Sequence, residues 1–324
     1  AVLGVIGAGN FTKMTMLPAL KGSVGKLKTI ASLEGVESAT LAKKFSFNSS
    51  TTDYKTILKD KEVDTVIITT RHNSHAQLVI EALQAGKHTF VEKPLALDQD
   101  QLDKILKVYN SQQLAANSQT LTVGFNRRFS PHIQAIKKAI GKKPGQLNIV
   151  ATMNAGFIPP SVWVHDLQVG GGRIIGEACH YIDLCIYLAG SEVASVCMSS
   201  MGENPQENTD NASILLKFNN GSNAVVNYFA NGAKSYSKEK VEVYSQERVF
   251  TMDNFRTTKA FGAKGFKDLK TKIDKGHKAQ FHEYVKRIKE GGEPLIPMNE
   301  IVNVTKASFA AIQSLKEKRW VNVD

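Results

Sequence analysis

Apolar runs and helical-period stretches alternate over the first third of the chain. Val2 to Ile6 is apolar throughout, the mark of a strand covered on both faces. Lys13 to Lys21, carrying Pro18, predicts a helix, and Lys28 to Ala31 a second strand. Val36 to Phe45 predicts a helix with Leu41, Ala42 and Phe45 on one side. Tyr54 to Leu58 reads as a short helix capped by Asp53, and Val63 to Thr69 as a strand. Ser74 to Ala85 follows as a helix ended by Gly86. His88 to Val91 and Leu121 to Gly124 predict two more strands. Between them, Asp98 to Asn110 predicts a helix with Asp98 and Gln101 as a capping box. Such alternation means a parallel sheet with right-handed crossovers.

The pattern then changes. Gln146 to Met153, Val193 to Met201, Ala212 to Phe218, Asn223 to Tyr228, Lys240 to Tyr244 and Arg248 to Met252 predict strands, joined by turn signals such as Asn219-Asn220-Gly221. Helices are expected at Gly176 to Ala189, Lys278 to Glu290 and Asn299 to Lys318. The expected fold class is an α/β domain over residues 1–123, then an α+β domain with a large, mainly antiparallel sheet over 124–324. The last helices are candidates to pack back on the first domain.

Composition agrees with this and narrows the function. A chain of 324 residues suits two domains of about 150 each. It is 42 % apolar and 22 % charged, which excludes a disordered tail and a collagenous chain. No apolar run approaches the ~18 residues of a membrane span, so no membrane partner is expected. The net charge is +11, but the basic residues are dispersed. The densest stretch, Lys259 to Lys278, is interrupted by Asp268 and Asp274, with no nucleic-acid-binding motif beside it. A solvated surface that attracts anionic ligands is expected, and no nucleic-acid partner. Cys179, Cys185 and Cys197 form no CxxC pair, which fits a reducing, cytoplasmic setting with neither disulfides nor a metal site. The chain starts at Ala1, directly on a strand, without a signal peptide, and reads as a domain cut from a longer chain.

Four segments carry chemistry. Gly7-Ala8-Gly9-Asn10-Phe11-Thr12 joins the first strand to the first helix. Gly7 permits the tight turn, and Gly9 lets backbone amides approach a pyrophosphate. Thr12 stands where a third glycine would let helix and strand pack closely, so a displaced helix is expected. Ser32 ends the second strand, where an acid would select NAD, and Glu34 lies two residues on; NAD and NADP both remain open. Glu92-Lys93-Pro94 ends the strand at Val91, which directs Lys93 to the ligand side of a parallel sheet or leaves it solvated in a loop. Gly170-Gly171-Gly172 runs into a helix on which Glu177, His180 and Asp183 are three apart and share a face. A histidine flanked by carboxylates is a proton acceptor or a bonded core residue.

These segments, with Asn126-Arg127-Arg128-Phe129 and Trp163 to Asp166, occur in an order that resembles the Gfo/Idh/MocA oxidoreductase family over nearly the whole chain. Gly9-Asn10-Phe11, Thr69-Thr70-Arg71-His72 and Arg173 to Glu177 are most similar to members fused behind a zinc alcohol-dehydrogenase-like domain. The resemblance implies an NAD(P)-binding Rossmann domain, an open β-sheet whose outer face forms homo-oligomers, and oxidation of a sugar, polyol or sugar-nucleotide hydroxyl. It implies Lys93 and His180 as catalytic groups at the reacting oxygen, with Glu177 or Asp183 orienting the imidazole. The family's aspartate four residues before the histidine is replaced by Gly176. The cofactor is expected on Gly7, Gly9, Asn10, Phe11, Ser32, Thr69, Thr70, Arg71, His75, Glu92 and Lys93. The carbohydrate substrate is expected on Asn126, Arg127, Trp163, His165, Asp166 and His180, with Trp163 stacking on a sugar face or anchoring its loop. Two alternatives follow from relatives: an NAD-dependent glycosidase acting by oxidation and elimination, and a non-catalytic dinucleotide-binding regulator.

Overall fold

Six short strands form the first sheet: β1 (Val2–Ile6), β2 (Lys26–Ala31), β3 (Ser49–Thr51), β4 (Thr65–Ile68), β5 (His88–Val91) and β6 (Leu121–Val123). All pairings are parallel and the order is β3-β2-β1-β4-β5-β6. This is the doubly wound order, whose direction reverses between β1 and β4 and so opens a crevice at their carboxyl ends. The computed structural model describes residues 1–113, 119–141 and 144–323. It divides into a first unit, Ala1–Gly124 with His277–Met298, and a second, Phe125–Gly276 with Asn299–Asp324.

The helices of the first unit follow the sequence reading closely. They are α1 (Leu17–Leu20), α2 (Gly35–Phe45), α3 (Lys55–Lys59), α4 (His75–Gln84) and α5 (Gln99–Gln113). Asp98 caps α5 by accepting from Gln101 N at 2.8 Å. The Gln101 carboxamide reaches back one residue further than a capping box requires, to Leu97 N at 3.1 Å. A late helix, counted below as α8 (His277–Glu290), joins this unit: Phe281 and Tyr284 pack on Phe90 of β5 at 4.9 and 5.4 Å between ring centroids. Leu3, Val5, Met16, Leu17, Ile67, Phe90 and Phe281 share one buried core there.

The second unit holds α6 (Pro131–Ile140) and α7 (Cys179–Ala189), the fully formed α9 (Met298–Glu317) following α8 in the chain. Its strands are β7 (Asn148–Asn154), β8 (Val193–Ser200), β9 (Asn211–Phe218), β10 (Asn223–Phe229), β11 (Glu239–Ser245), β12 (Arg248–Asp253), β13 (Thr257–Phe261), β14 (Leu269–Lys270) and β15 (Val321–Asn322). They order as β14-β13-β12-β11-β7-β10-β9-β8-β15. Only β7 and β10 run parallel. Burial alternates along β7, β9, β10 and β11, so one face builds the core while the other is open. Helix α6 escaped the sequence reading although its signals are plain: Ser130 caps it, Pro131 opens it, and Gly141 at φ 84° ends it. Strands β3, β14 and β15 are too short for a period to show, and β13, mostly outside the core, carries no apolar alternation.

Two adjacent arginines tie the start of this unit to its sheet and to α7. Arg127 donates from Nε and Nη2 to Glu239 at 2.9 and 3.2 Å, and Lys275 reaches the same carboxylate at 2.5 Å. Arg128 forks onto both oxygens of Asp183 and reaches Glu300 at 2.7 Å. Burial alone would raise the Glu239 carboxyl, yet Arg127 and Lys275 hold it down at about 2. Burial pushes Asp183 up to about 6 against the pull of Arg128. No helix among the described residues is long and apolar enough to cross a membrane.

Glu239→Gln strands the buried Arg127 charge and is expected to cost about 3–5 kcal/mol in urea unfolding. The paired change Arg127→Met with Glu239→Leu is expected to recover most of that loss, because it removes both desolvated charges together.

Candidate active site

The carboxyl ends of β1, β4 and β5 assemble the candidate cofactor site of the first unit. Gly7 leaves β1 at φ 117°, and a Cβ there would lie 2.7 Å from the Thr69 hydroxyl and 2.8 Å from its backbone. Only glycine allows β1 and β4 to separate at that distance. Thr12 is fully buried and its hydroxyl bonds that of Thr69 at 2.7 Å and the Gly7 carbonyl at 3.1 Å. The helix opens as a π-turn over Thr12–Met16 before α1 begins. Thr12 is accommodated there by its hydroxyl bonds.

A dinucleotide can be accommodated here. Gly9 has open space where a side chain would stand, and Gly9 and Asn10 are exposed. The first turn of a helix leaves backbone amides without partners inside the helix, so such a turn receives a phosphate readily. Phe11 is half-buried and tilts against His277 at 5.9 Å. Ser32, at the end of β2, donates its hydroxyl to Glu34 O at 2.8 Å within its own turn, while Glu34 itself is exposed. Thr70 bonds the Ser74 hydroxyl at 2.6 Å, and Arg71 is exposed at the same loop.

His75 ties the start of α4 to the loop after β5. It is fully buried at the start of α4, with Nδ1 2.8 Å from Pro94 O and Nε2 3.1 Å from Thr70 O. Burial pushes its pKa down, aided by the Lys93 charge, so the ring is neutral and carries one N–H. The shorter contact assigns that proton to Nδ1, donating to Pro94 O. His75 therefore holds the peptide next to Lys93, and its role is to position that segment. Glu92 lies with its carboxylate against Gly124, where a Cβ would be 2.5 Å from Oε1. Lys93 is half-buried.

The second unit carries His180 near the start of α7, preceded by a π-turn over Ile174–Ala178. His180 is 5 % exposed and its ring meets Phe125 edge-on at 6.2 Å. The Arg127 guanidinium stacks over the neighbouring Tyr181 at 5.3 Å. Glu177 accepts from Arg173 at 3.2 Å and from the Tyr228 hydroxyl. Trp163 and His165 sit half-buried in a 3-10 turn. His165 Nε2 is 3.1 Å from Ile158 O, and Asp166 folds its carboxylate onto the amides of Gln168 and Val169 at 2.8 and 3.2 Å.

Three expectations are corrected. Arg127 does not face a substrate: a desolvated guanidinium needs a buried counter-ion, and Glu239 supplies it. Asn126 is likewise buried, bonding Lys275 O at 2.7 Å. Asp183 gives both oxygens to Arg128 rather than to the imidazole. Glu239, Arg128 and Tyr228, which hold these groups, were not singled out in the sequence. Glu239 had a signal, since it shares the buried face of β11 with Val241 and Val243.

Burial also lowers the pKa of His88 and His132, as it does that of His75. The unfolded chain binds protons near pH 6.5 while these folded rings resist them, so stability should fall as pH drops through that value. His75→Phe is expected to flatten that fall and to cost about 1–3 kcal/mol near pH 7, read from melting curves across the pH range.

The comparisons with known proteins agree with this geometry. The family described as "Oxidoreductase family, NAD-binding Rossmann fold" matches residues 2–120, and the GFO/IDH/MocA C-terminal domain matches residues 133–251. The myo-inositol 2-dehydrogenase of Thermotoga maritima is 27 % identical over 286 residues, covering 83 % of this chain and 82 % of that protein. The inositol 2-dehydrogenase of Rhizobium meliloti is 25 % identical, covering 99 % and 98 %. A solved levoglucosan dehydrogenase, in complex with NADH and levoglucosan, superposes with a TM-score of 0.84 at 23 % identity over 99 % of each chain. With both family domains matched in order, and the doubly wound strand order beneath its glycine turn, the chain belongs to the Gfo/Idh/MocA family of oxidoreductases.

Proposed function

We propose that the protein oxidises a secondary hydroxyl of a neutral sugar or cyclitol with NAD, and reduces the corresponding ketone in reverse. The observation that carries the reading is the tethered Glu92-Lys93-Pro94 segment beside a glycine turn suited to a pyrophosphate. Relatives named for inositol and levoglucosan oxidation support the substrate class.

Gly7, Gly9, Asn10, Phe11 and Thr70 would hold the cofactor, whose nicotinamide, when bound, supplies the hydride acceptor. Arg71 reaches for its phosphates or for an anionic group. Lys93 donates from Nζ to the reacting oxygen and stabilises the negative charge that develops there. His180 takes the hydroxyl proton. Glu177, which precedes His180 by three residues, is itself held by Arg173 and Tyr228. Trp163, His165 and Asp166 bound the sugar. Self-association through the open sheet face, where Leu215, Tyr244 and Phe261 are exposed, belongs to the same proposal.

A screen of inositols, levoglucosan and common hexoses with NAD and NADP tests the activity. NADH is expected to accumulate with at least one of them. Conversion of a glycoside without net NADH would instead favour the oxidation–elimination alternative. With the active compound, Lys93→Met and His180→Gln are each expected to lower kcat/KM by about 10²–10⁴-fold while NAD binding, followed by fluorescence, stays intact. Unchanged turnover in either variant removes that residue from the mechanism.

A further inference from the structure

Trp163, His165 and Asp166 stand on one long loop of the second unit, residues 157–172. No side chain from Phe157 to Val169 is buried, so no apolar anchor in the core fixes its shape. The loop folds on itself instead. Val162 N bonds Pro159 O at 3.0 Å, His165 Nε2 lies 3.1 Å from Ile158 O, and Gly170 N donates to Asp166 O at 2.7 Å. The returning chain runs so close to the outgoing one that a Cβ on Gly170 would stand 2.6 Å from both Trp163 O and Val164 Cα.

One side chain joins the two ends of the loop. Arg173 is 3 % exposed and donates from Nη1 to Gly156 O at 2.9 Å, so the residue after the loop holds the residue before it. A self-packed loop with its ends drawn together is an Ω-loop, a form that often carries function. Nη1 also reaches Asp210 at 3.3 Å, and two residues before Asp210 the Asn208 side chain bonds His165 O at 3.4 Å. Nη2 donates to Glu177 at 3.2 Å, three residues before His180. The guanidinium stacks over the Tyr228 ring at 5.2 Å, and Tyr228 in turn donates to Glu177. Loop neck, helix start and sheet therefore converge on one planar cation. Lysine is no substitute, because an ammonium on a flexible stem lacks the fixed fork that sets several acceptors at defined angles.

We infer that Arg173 is a positioning residue for the substrate: it clamps the neck of loop 157–172 and registers Trp163, His165 and Asp166 against the helix that carries His180. The inference rests on the reading of that loop as the one that bounds the sugar. Arg173 acts through the loop, since its Nη atoms are spent on Gly156, Asp210 and Glu177. An unclamped loop has to be ordered each time the sugar binds, and that ordering is subtracted from affinity.

The test reads the loop and the sugar separately. In a Trp320→Phe background Trp163 is the remaining tryptophan, and its emission reports the loop. Arg173→Lys keeps the buried charge and loses the fork. Gly170→Ala forces the two limbs of the loop apart and leaves Arg173 in place. In both, Trp163 emission is expected to move to the red, and chymotrypsin to cut between Phe157 and Leu167 at least ~10-fold faster, with melting still cooperative. With a sugar found by NAD reduction, KM is expected to rise about 10-fold while kcat stays within about 3-fold and NAD affinity is unchanged. If Arg173→Lys does not fold, Asp210→Ala removes one acceptor of the same guanidinium and is expected to speed cleavage by about 3-fold or more. Unchanged emission and cleavage in the folded Arg173 or Asp210 variant overturn the clamp, whatever the substrate. A loosened loop with KM unmoved overturns the positioning role and leaves the dehydrogenase reading standing. Absence of NAD reduction with every sugar, beside a loosened loop, overturns that reading and the positioning role with it.

Discussion

Two neighbouring guanidiniums, Arg127 and Arg128, are the constraint on which the second unit depends. Each is removed from water and each must meet a carboxylate, so the turn Asn126–Phe129 cannot move without breaking a buried pair. Arg127 binds that turn to β11 through Glu239, and Arg128 binds it to α7 through Asp183. The same turn brings Phe125 against His180. The histidine is therefore held by a helix that is pinned at Asp183 and braced by aromatic contact one turn earlier. Rigidity of this kind is what a proton acceptor needs, since a small misplacement costs rate steeply.

The first unit reaches the same end with neutral groups. Thr12, Thr69 and Gly7 close a hydroxyl and carbonyl network under the glycine turn. His75, which follows the loop after β4, bonds the loop after β5 through Pro94 O. An uncharged network suits a site that receives a pyrophosphate, because it adds no negative charge next to the ligand. The positive ends of peptide dipoles and Lys93 then supply the attraction. The different devices match the different loads: a preformed cradle for a large anion in one unit, a fixed imidazole in the other.

Most elements longer than four residues were legible in the chain, because period and turn chemistry are local. The runs Val2–Ile6 and His88–Val91 and the alternation of the later strands each carry their own signal. The glycine turn, Lys93 and His180 were legible for the same reason, each at the end of a readable element. Ser130, Pro131 and Gly141 mark α6 by the same local chemistry. The part played by Arg127 was not legible. An arginine after a strand looks the same whether it faces a ligand or a carboxylate 112 residues further on.

What the amino-acid sequence determined by itself is thus the succession of strands and helices, the class of both sheets, and the few residues whose chemistry stands at a strand end or helix start. These follow from backbone propensity and side-chain period, which act over a few residues. What only the tertiary structure decided is which polar groups are spent on each other. Asp183 went to Arg128 and Glu239 to Arg127, while the Thr122 and Tyr284 hydroxyls are buried with no hydrogen-bond partner among the described residues. Desolvation is the reason: once a charge or hydroxyl leaves water, its partner is whatever the fold brings within reach, and no local pattern carries that distance.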